Sequence, residues 1–158
     1  MSPQRLWRLS IWLRGHGSKR LALAVKKLNS VIYHNSLAPG AKVGPGLSFG
    51  HHGFGVMIHS NVEIGRNVHI WHHVTIAVRS QSAWAEPHKV VIEDDVRIGA
   101  KAMIISPEQG SLRIGRGARI GAGAVVVRDV PAGATVVGVA PRVLLADEDS
   151  EEGADAGA

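Results

Sequence analysis

The chain has 158 residues, with 18 Lys and Arg against 13 Asp and Glu, nine His and no Cys. That length suits one domain, and the absence of Cys excludes disulfides, a thiol nucleophile and a Cys-ligated zinc site. Six acids, Asp147, Glu148, Asp149, Glu151, Glu152 and Asp155, fall in the last dozen residues, so residues 1–146 set all 18 basic residues against seven acids, a balance of +11. A basic body suits nucleic acid, an anionic membrane surface or a phosphorylated ligand. No helix-turn-helix, RNP-type or zinc-finger pattern accompanies the charge, so nucleic acid is not expected. No apolar run approaches the ~20 residues of a membrane span and no secretion signal is visible, which fits a cytoplasmic protein.

Residues 1–35 read as a short helical cap. Helices are expected over residues 3–14 and 18–33, punctuated by Gly15 and Gly17. The first mixes Leu6, Trp7, Leu9, Ile11, Trp12 and Leu13 with Arg5, Arg8 and Arg14. That mixture suits peripheral contact with an anionic membrane through the N-terminal helix, or a lid on the open end of the domain that follows. The second carries Leu21, Val25, Leu28 and Ile32 in one helical stripe.

From Leu37 an aliphatic residue returns every six positions: Leu37, Val43, Phe49, then Ile58, Ile64, Ile70, Ile76, then Ile92, Ile98, Ile104, then Ile114, Ile120, Val126. Steps of six scatter around an α-helix but keep one face of a strand, so the repeat builds walls that must close on themselves. Fixed-period hexapeptides are a signature of parallel β-helices. The interruptions near residues 50–57, 77–91 and 106–112 become loops, where binding concentrates. With three hexads per coil, Phe49, Ile70, Ile98 and Ile120 share a wall. The turns beyond it stack His51, His72, Ala100 and Ala122, then His52, His73, Lys101 and Gly123. Residues 36–145 make this domain, and the acidic segment 146–158 reads as a disordered tail.

Two stretches carry a family resemblance. His51-His52-Gly53-Phe54-Gly55-Val56-Met57-Ile58 resembles the segment holding the catalytic histidine of the hexapeptide-repeat acyltransferases, on the serine acetyltransferase-like branch that includes polysaccharide O-acetyltransferases. Ile120-Gly121-Ala122-Gly123-Ala124-Val125-Val126, with Asp129-Val130-Pro131 and Gly138-Val139-Ala140-Pro141-Arg142-Val143, resembles its C-terminal signature. The resemblance implies an all-β fold, a left-handed parallel β-helix assembled as a homotrimer, with acetyl-CoA between subunits near Ala100 and Ala122. Lys101, Arg119 and Arg142 are basic candidates for its phosphates. No metal is expected.

Moving an acyl group from a thioester to a hydroxyl requires a base for the hydroxyl proton, and imidazole titrates near working pH. Aligned from upstream, His51 takes the family's catalytic position; aligned from downstream His52 does, and the closer identity on that side makes His52 the first choice. His88, in the loop, is the nearest counterpart of a second family histidine. The carboxylate that orients the family's base is replaced by Ser36. The acid preceding the base, which helps bind an amino-acid acceptor, is Gly50 or His51. Both departures point to a sugar hydroxyl of a glycan or envelope polysaccharide rather than serine. In that reading the Trp-rich basic N-terminus places the enzyme at a membrane.

Three alternatives stand beside it. One is a serine O-acetyltransferase. Another is a γ-carbonic anhydrase-like zinc enzyme, prompted by His69-Ile70-Trp71-His72-His73, whose x3 spacing departs from that class's x4. The third is a non-catalytic β-helix scaffold, kept open by Ser36.

Overall fold

The computed structural model describes residues 2–78, 88–107 and 110–138. After helices α1 (Pro3–Gly15) and α2 (Lys19–Tyr33), the chain winds through five coils. The first holds β1 (Ser36–Leu37), β2 (Lys42–Val43) and β3 (Ser48–Phe49); the second β4 (Met57–Ile58), β5 (Val62–Ile64) and β6 (His69–Ile70). The third holds β7 (Thr75–Ala77), β8 (Val90–Ile92) and β9 (Arg97–Ile98); the fourth β10 (Met103–Ile105), β11 (Leu112–Ile114) and β12 (Arg119–Ile120). The fifth holds β13 (Val125–Val126) and β14 (Thr135–Val136). Every pairing is parallel and joins equivalent strands of successive coils, giving three walls: β1-β4-β7-β10-β13, β2-β5-β8-β11 and β3-β6-β9-β12-β14. We call them sheets 1, 2 and 3. All-parallel pairing with the aliphatic repeat turned inward is the β-helix that the sixfold period predicts.

The repeat fills the prism. Ile70, Ile76, Ile98 and Ile104 have no exposed surface, and burying each is worth about 1.5–3 kcal/mol. Ile98 pairs with Ile70 on one side and Ile120 on the other, so a cavity there opens into three coils. Ile98→Ala is expected to lower unfolding stability by about 2–5 kcal/mol, read by urea denaturation. A loss under about 1 kcal/mol would show that this wall is loosely packed.

Coil lengths locate the insertions. Met57 pairs with Thr75, 18 positions on, which is three hexads. Ser36 pairs with Met57 at 21, Thr75 with Met103 at 28 and Met103 with Val125 at 22. The surplus three residues of the first coil lie between Phe49 and Ile58 and form a tight turn, Gly50–Gly53, with His51 at φ 48° and His52 at φ 56°.

That turn corrects one expected stack. Backbone bonds join Gly55 N–H to His34 O, His73 N–H to Phe54 O, Lys101 N–H to His72 O and Gly123 N–H to Ala100 O. Phe54 and Gly55, not His51 and His52, therefore occupy the first-coil places below His72 and His73. The two histidines are looped out of the column because three surplus residues cannot fit within it.

The helices depart from their expected faces. On α1, Leu6 and Trp7 are buried. The Trp7 indole N–H donates to Ala38 O at 2.8 Å, and the Arg8 guanidinium donates to Gly44 O. Trp7 and Arg8, both read as lipid-facing, thus lie against the first coil. On α2 the stripe is inverted: Leu21, Leu28 and Ile32 are more than half exposed or nearly so, while Ala22 and Asn29 are buried. Asn29 Nδ2 donates to Pro3 O at 3.1 Å, tying the end of one helix to the start of the other.

Candidate active site

The corner between sheets 3 and 1 collects aromatic rings. Tight geometry at Gly50 seats the first: a Cβ built there would lie 2.5 Å from Cε3 of Trp71. The indole occupies the room an acidic side chain at position 50 would need. His51 projects from the turn with its ring 4.8 Å from His72, edge to face, and 5.9 Å from Trp71. His69 lies 5.0 Å from Trp71 and shares a 2.8 Å hydrogen bond between its Nδ1 and Ser48 Oγ. Phe54 stands between His34 at 5.5 Å and His73 at 5.1 Å.

His51, Phe54 and His72 line a shallow cavity of about 250 Å³. His52 faces elsewhere, stacked on Tyr33 at the end of α2 with centroids 6.2 Å apart. Of the two adjacent histidines, the sequence favoured His52; the one that borders the cavity is His51. His72 Nδ1 is buried without a hydrogen-bond partner. Its pKa lies below the ordinary 6.5, first because burial penalises the imidazolium, then because His51, His73 and Lys101 add positive charge around it. In the transferase reading of the sequence His72 has no role, although it shares a phase with His51; the repeat shows an interruption near residues 50–57 but not that it tips His51 over His72.

Among the described residues no carboxylate joins this cluster. Glu63, Glu93, Asp94 and Asp129 serve the outer wall of sheet 2 and its corners. A larger hollow of about 560 Å³ there is lined by Lys42, Glu63, Glu93, Asp94 and Arg116. Glu63 pairs with Lys89 at 2.8 Å and Lys42 at 3.0 Å, and both, Lys89 foremost, hold its carboxyl below the ordinary 4.5. Glu93 accepts from the Arg116 N–H and from the Arg113 guanidinium, which lowers its pKa likewise. Size aside, this hollow is a network of satisfied ion pairs with no free base, and we place the chemistry at the histidine corner. Among the described residues no three His, Asp or Glu side chains converge as a metal site.

The remaining candidates disperse. His88 sits at the corner between sheets 1 and 2, where the Gly110 N–H donates to its Nδ1 at 2.6 Å. This clasp joins the insertion before β8 to the one before β11. His51 and His88 therefore stand at opposite ends of the sheet 1 strands. Ala100, Ala122 and Lys101 follow His72 up the corner, as the backbone ladder shows. Arg119 projects from sheet 3 beside Arg97, outside the cavity. Arg142, the second half of the C-terminal signature and the acidic tail lie outside the described residues, as do residues 79–87 of the long loop.

No family model matches the chain. Curated relatives include the serine acetyltransferase of Bacillus licheniformis, 38% identical over 125 residues, which covers 79% of this chain and 55% of that protein. That of Mycobacterium tuberculosis is 37% identical over 146 residues, covering 92% and 61%. Among solved structures, the Neisseria gonorrhoeae serine acetyltransferase in complex with serine superposes with a TM-score of 0.73 at 34% identity, over 87% of this chain and 53% of that one. The Brucella abortus serine acetyltransferase in complex with coenzyme A gives 0.77 at 32%, over 87% and 52%. The chain thus spans about half to three-fifths of the length of the relatives it matches. By sequence, strand pairing and superposition, it is a left-handed β-helix of hexapeptide repeats whose homologues are serine acetyltransferases.

Proposed function

We propose that this chain is an acetyl-CoA-dependent O-acetyltransferase that moves an acetyl group directly to a hydroxyl acceptor, with His51 as general base. The observation that carries the reading is His51 at the mouth of the corner cavity beside His72, on a fold whose relatives are serine acetyltransferases. In the reaction the imidazole takes the hydroxyl proton as the oxygen attacks the thioester carbonyl. The C–S bond then breaks, and the sulfur leaves with the proton held on the ring. With no Cys in the chain, no thiol carries the acetyl group between substrates. His72, kept uncharged, adds no repulsion when the imidazolium forms on its neighbour.

A homotrimer completes the proposal. One prism cannot bring His51 and His88 to one substrate, since sheet 1 separates them, but the facing corners of two copies can. The outer row of that sheet runs Ser36, Met57, Thr75, Met103 and Val125, and Met57, Met103 and Val125 are exposed by 54%, 41% and 61%, a largely apolar strip suited to cover by a neighbour. The small residues Ala100 and Ala122 leave backbone open along the same corner for the thioester arm, and Lys101 offers its phosphates a cation.

Serine is the acceptor supported by the relatives, one of which is solved with serine and another with coenzyme A. A second reading, a sugar hydroxyl, is favoured by one feature of the site: no described carboxylate stands near His51 to meet the ammonium group of an amino acid. Thiol release from acetyl-CoA decides between them. Release dependent on L-serine supports the first, release dependent on hexoses but indifferent to serine the second. No release above hydrolysis with any hydroxyl acceptor overturns the transferase reading.

A further inference from the structure

The inverted face of α2 remains unpartnered. At ~100° per residue, Leu21, Ala24, Leu28, Val31 and Ile32 form one stripe, and its large members are exposed by 59%, 50%, 73% and 53% in chain order. Helices on globular proteins turn such a stripe inward; here the small Ala22 and polar Asn29 are inside. On α1, Leu9 and Trp12 are likewise exposed, by 44% and 56%. Contiguous exposed apolar surface of this size marks an interaction surface.

Charge identifies the occupant. The two helices carry Arg5, Arg8, Arg14, Lys19, Arg20, Lys26 and Lys27, and no Asp or Glu occurs before Glu63. A second copy pressed against this face would bring the same cations with no acid to answer them. An anionic lipid leaflet answers both features, with phosphates for the cations and acyl chains for the leucines. Arg20 and Lys27 flank the apolar stripe on one side, as in helices that lie in the plane of a leaflet. No described helix is long and apolar enough to cross a membrane, so the contact is parallel to the surface.

We propose that the outward face of α2, with the cations of both helices around it, docks this protein on anionic lipid. The proposal is independent of the transferase reading, because neither His51 nor its cavity takes part. It also moves the membrane contact expected for α1 to the neighbouring helix, since Trp7 is committed to the prism.

Co-sedimentation of the full chain with vesicles tests it. Binding is expected to vesicles of phosphatidylcholine with roughly 30% phosphatidylglycerol, to fall at least about tenfold without the anionic lipid, and to weaken in high salt. Leu28→Gln with Val31→Gln should reduce binding about tenfold while the thermal midpoint holds, because both side chains are already in solvent. Absence of binding to anionic vesicles overturns the proposal, as does undiminished binding by the double variant. A light-scattering mass that drops in that variant without lipid overturns it too, since a second copy would then cover the face.

Discussion

His51→Asn is expected to lower kcat for acetyl transfer by about 10²–10⁴-fold, the usual yield of a positioned general base, whereas His52→Asn stays within a few-fold of the parent. Asn is the informative substitute because both positions have φ near +50°, a region Asn enters more readily than other non-Gly residues. The turn then persists while the proton acceptor is lost. The asymmetry follows from where the rings lie: His51 borders the cavity with His72, and His52 stacks on Tyr33. Steady-state thiol release on the two variants, with circular dichroism as the folding control, reads it. Equal activity in His51→Asn and parent, or a greater loss in His52→Asn, would remove His51 from the role. His72→Gln separates positioning from proton transfer. A partner that steadies His51 should reduce kcat modestly and leave KM for acetyl-CoA unchanged, and should move the pH profile, which a purely structural residue would not.

The walls of the prism were legible because burial is encoded at fixed phase: each of Ile64, Ile92 and Ile114 answers the one before it in the pairing. A single period of six therefore specified sheets, register and core together. The corner was less legible. A repeat specifies which residues turn inward but says little about residues in surplus of it, and three such residues decide whether His51 or His52 meets the cavity. Gly50 is a similar case. In the sequence it reads as a lost acid, and in the fold it is the floor on which Trp71 lies. The helical stripe of α2 misled for a different reason: amphipathicity tells which face is apolar, and only the partner decides whether that face is inside. Here the prism end is already filled by Trp7, and α2 packs through Ala22 and Asn29 instead.

Trp7→Ala is expected to lower stability by about 3–5 kcal/mol, as large a loss as any single substitution in the core should give. Parallel β-helices have two open ends, and an open end exposes both unpaired strand edges and the last layer of aliphatic side chains. At this end Trp7 covers the aliphatic layer and ties α1 to the first coil. It is 1% exposed within the core cluster, its ring 6.2 Å from Phe49, and its N–H donates to Ala38 O, which also accepts from the Ala41 N–H at 3.3 Å. Trp7→Phe separates the two contributions, since it keeps most of the apolar area and removes the indole hydrogen bond while Ala38 O keeps the Ala41 N–H, at a cost of about 0.5–1.5 kcal/mol. Urea unfolding of the three proteins orders them parent, Phe, Ala. Static light scattering should show association of the Ala variant as the first coil's edge opens. Were the Ala variant to unfold within about 1 kcal/mol of the parent, α1 would be an attachment, and the prism would have to close its first coil by other means.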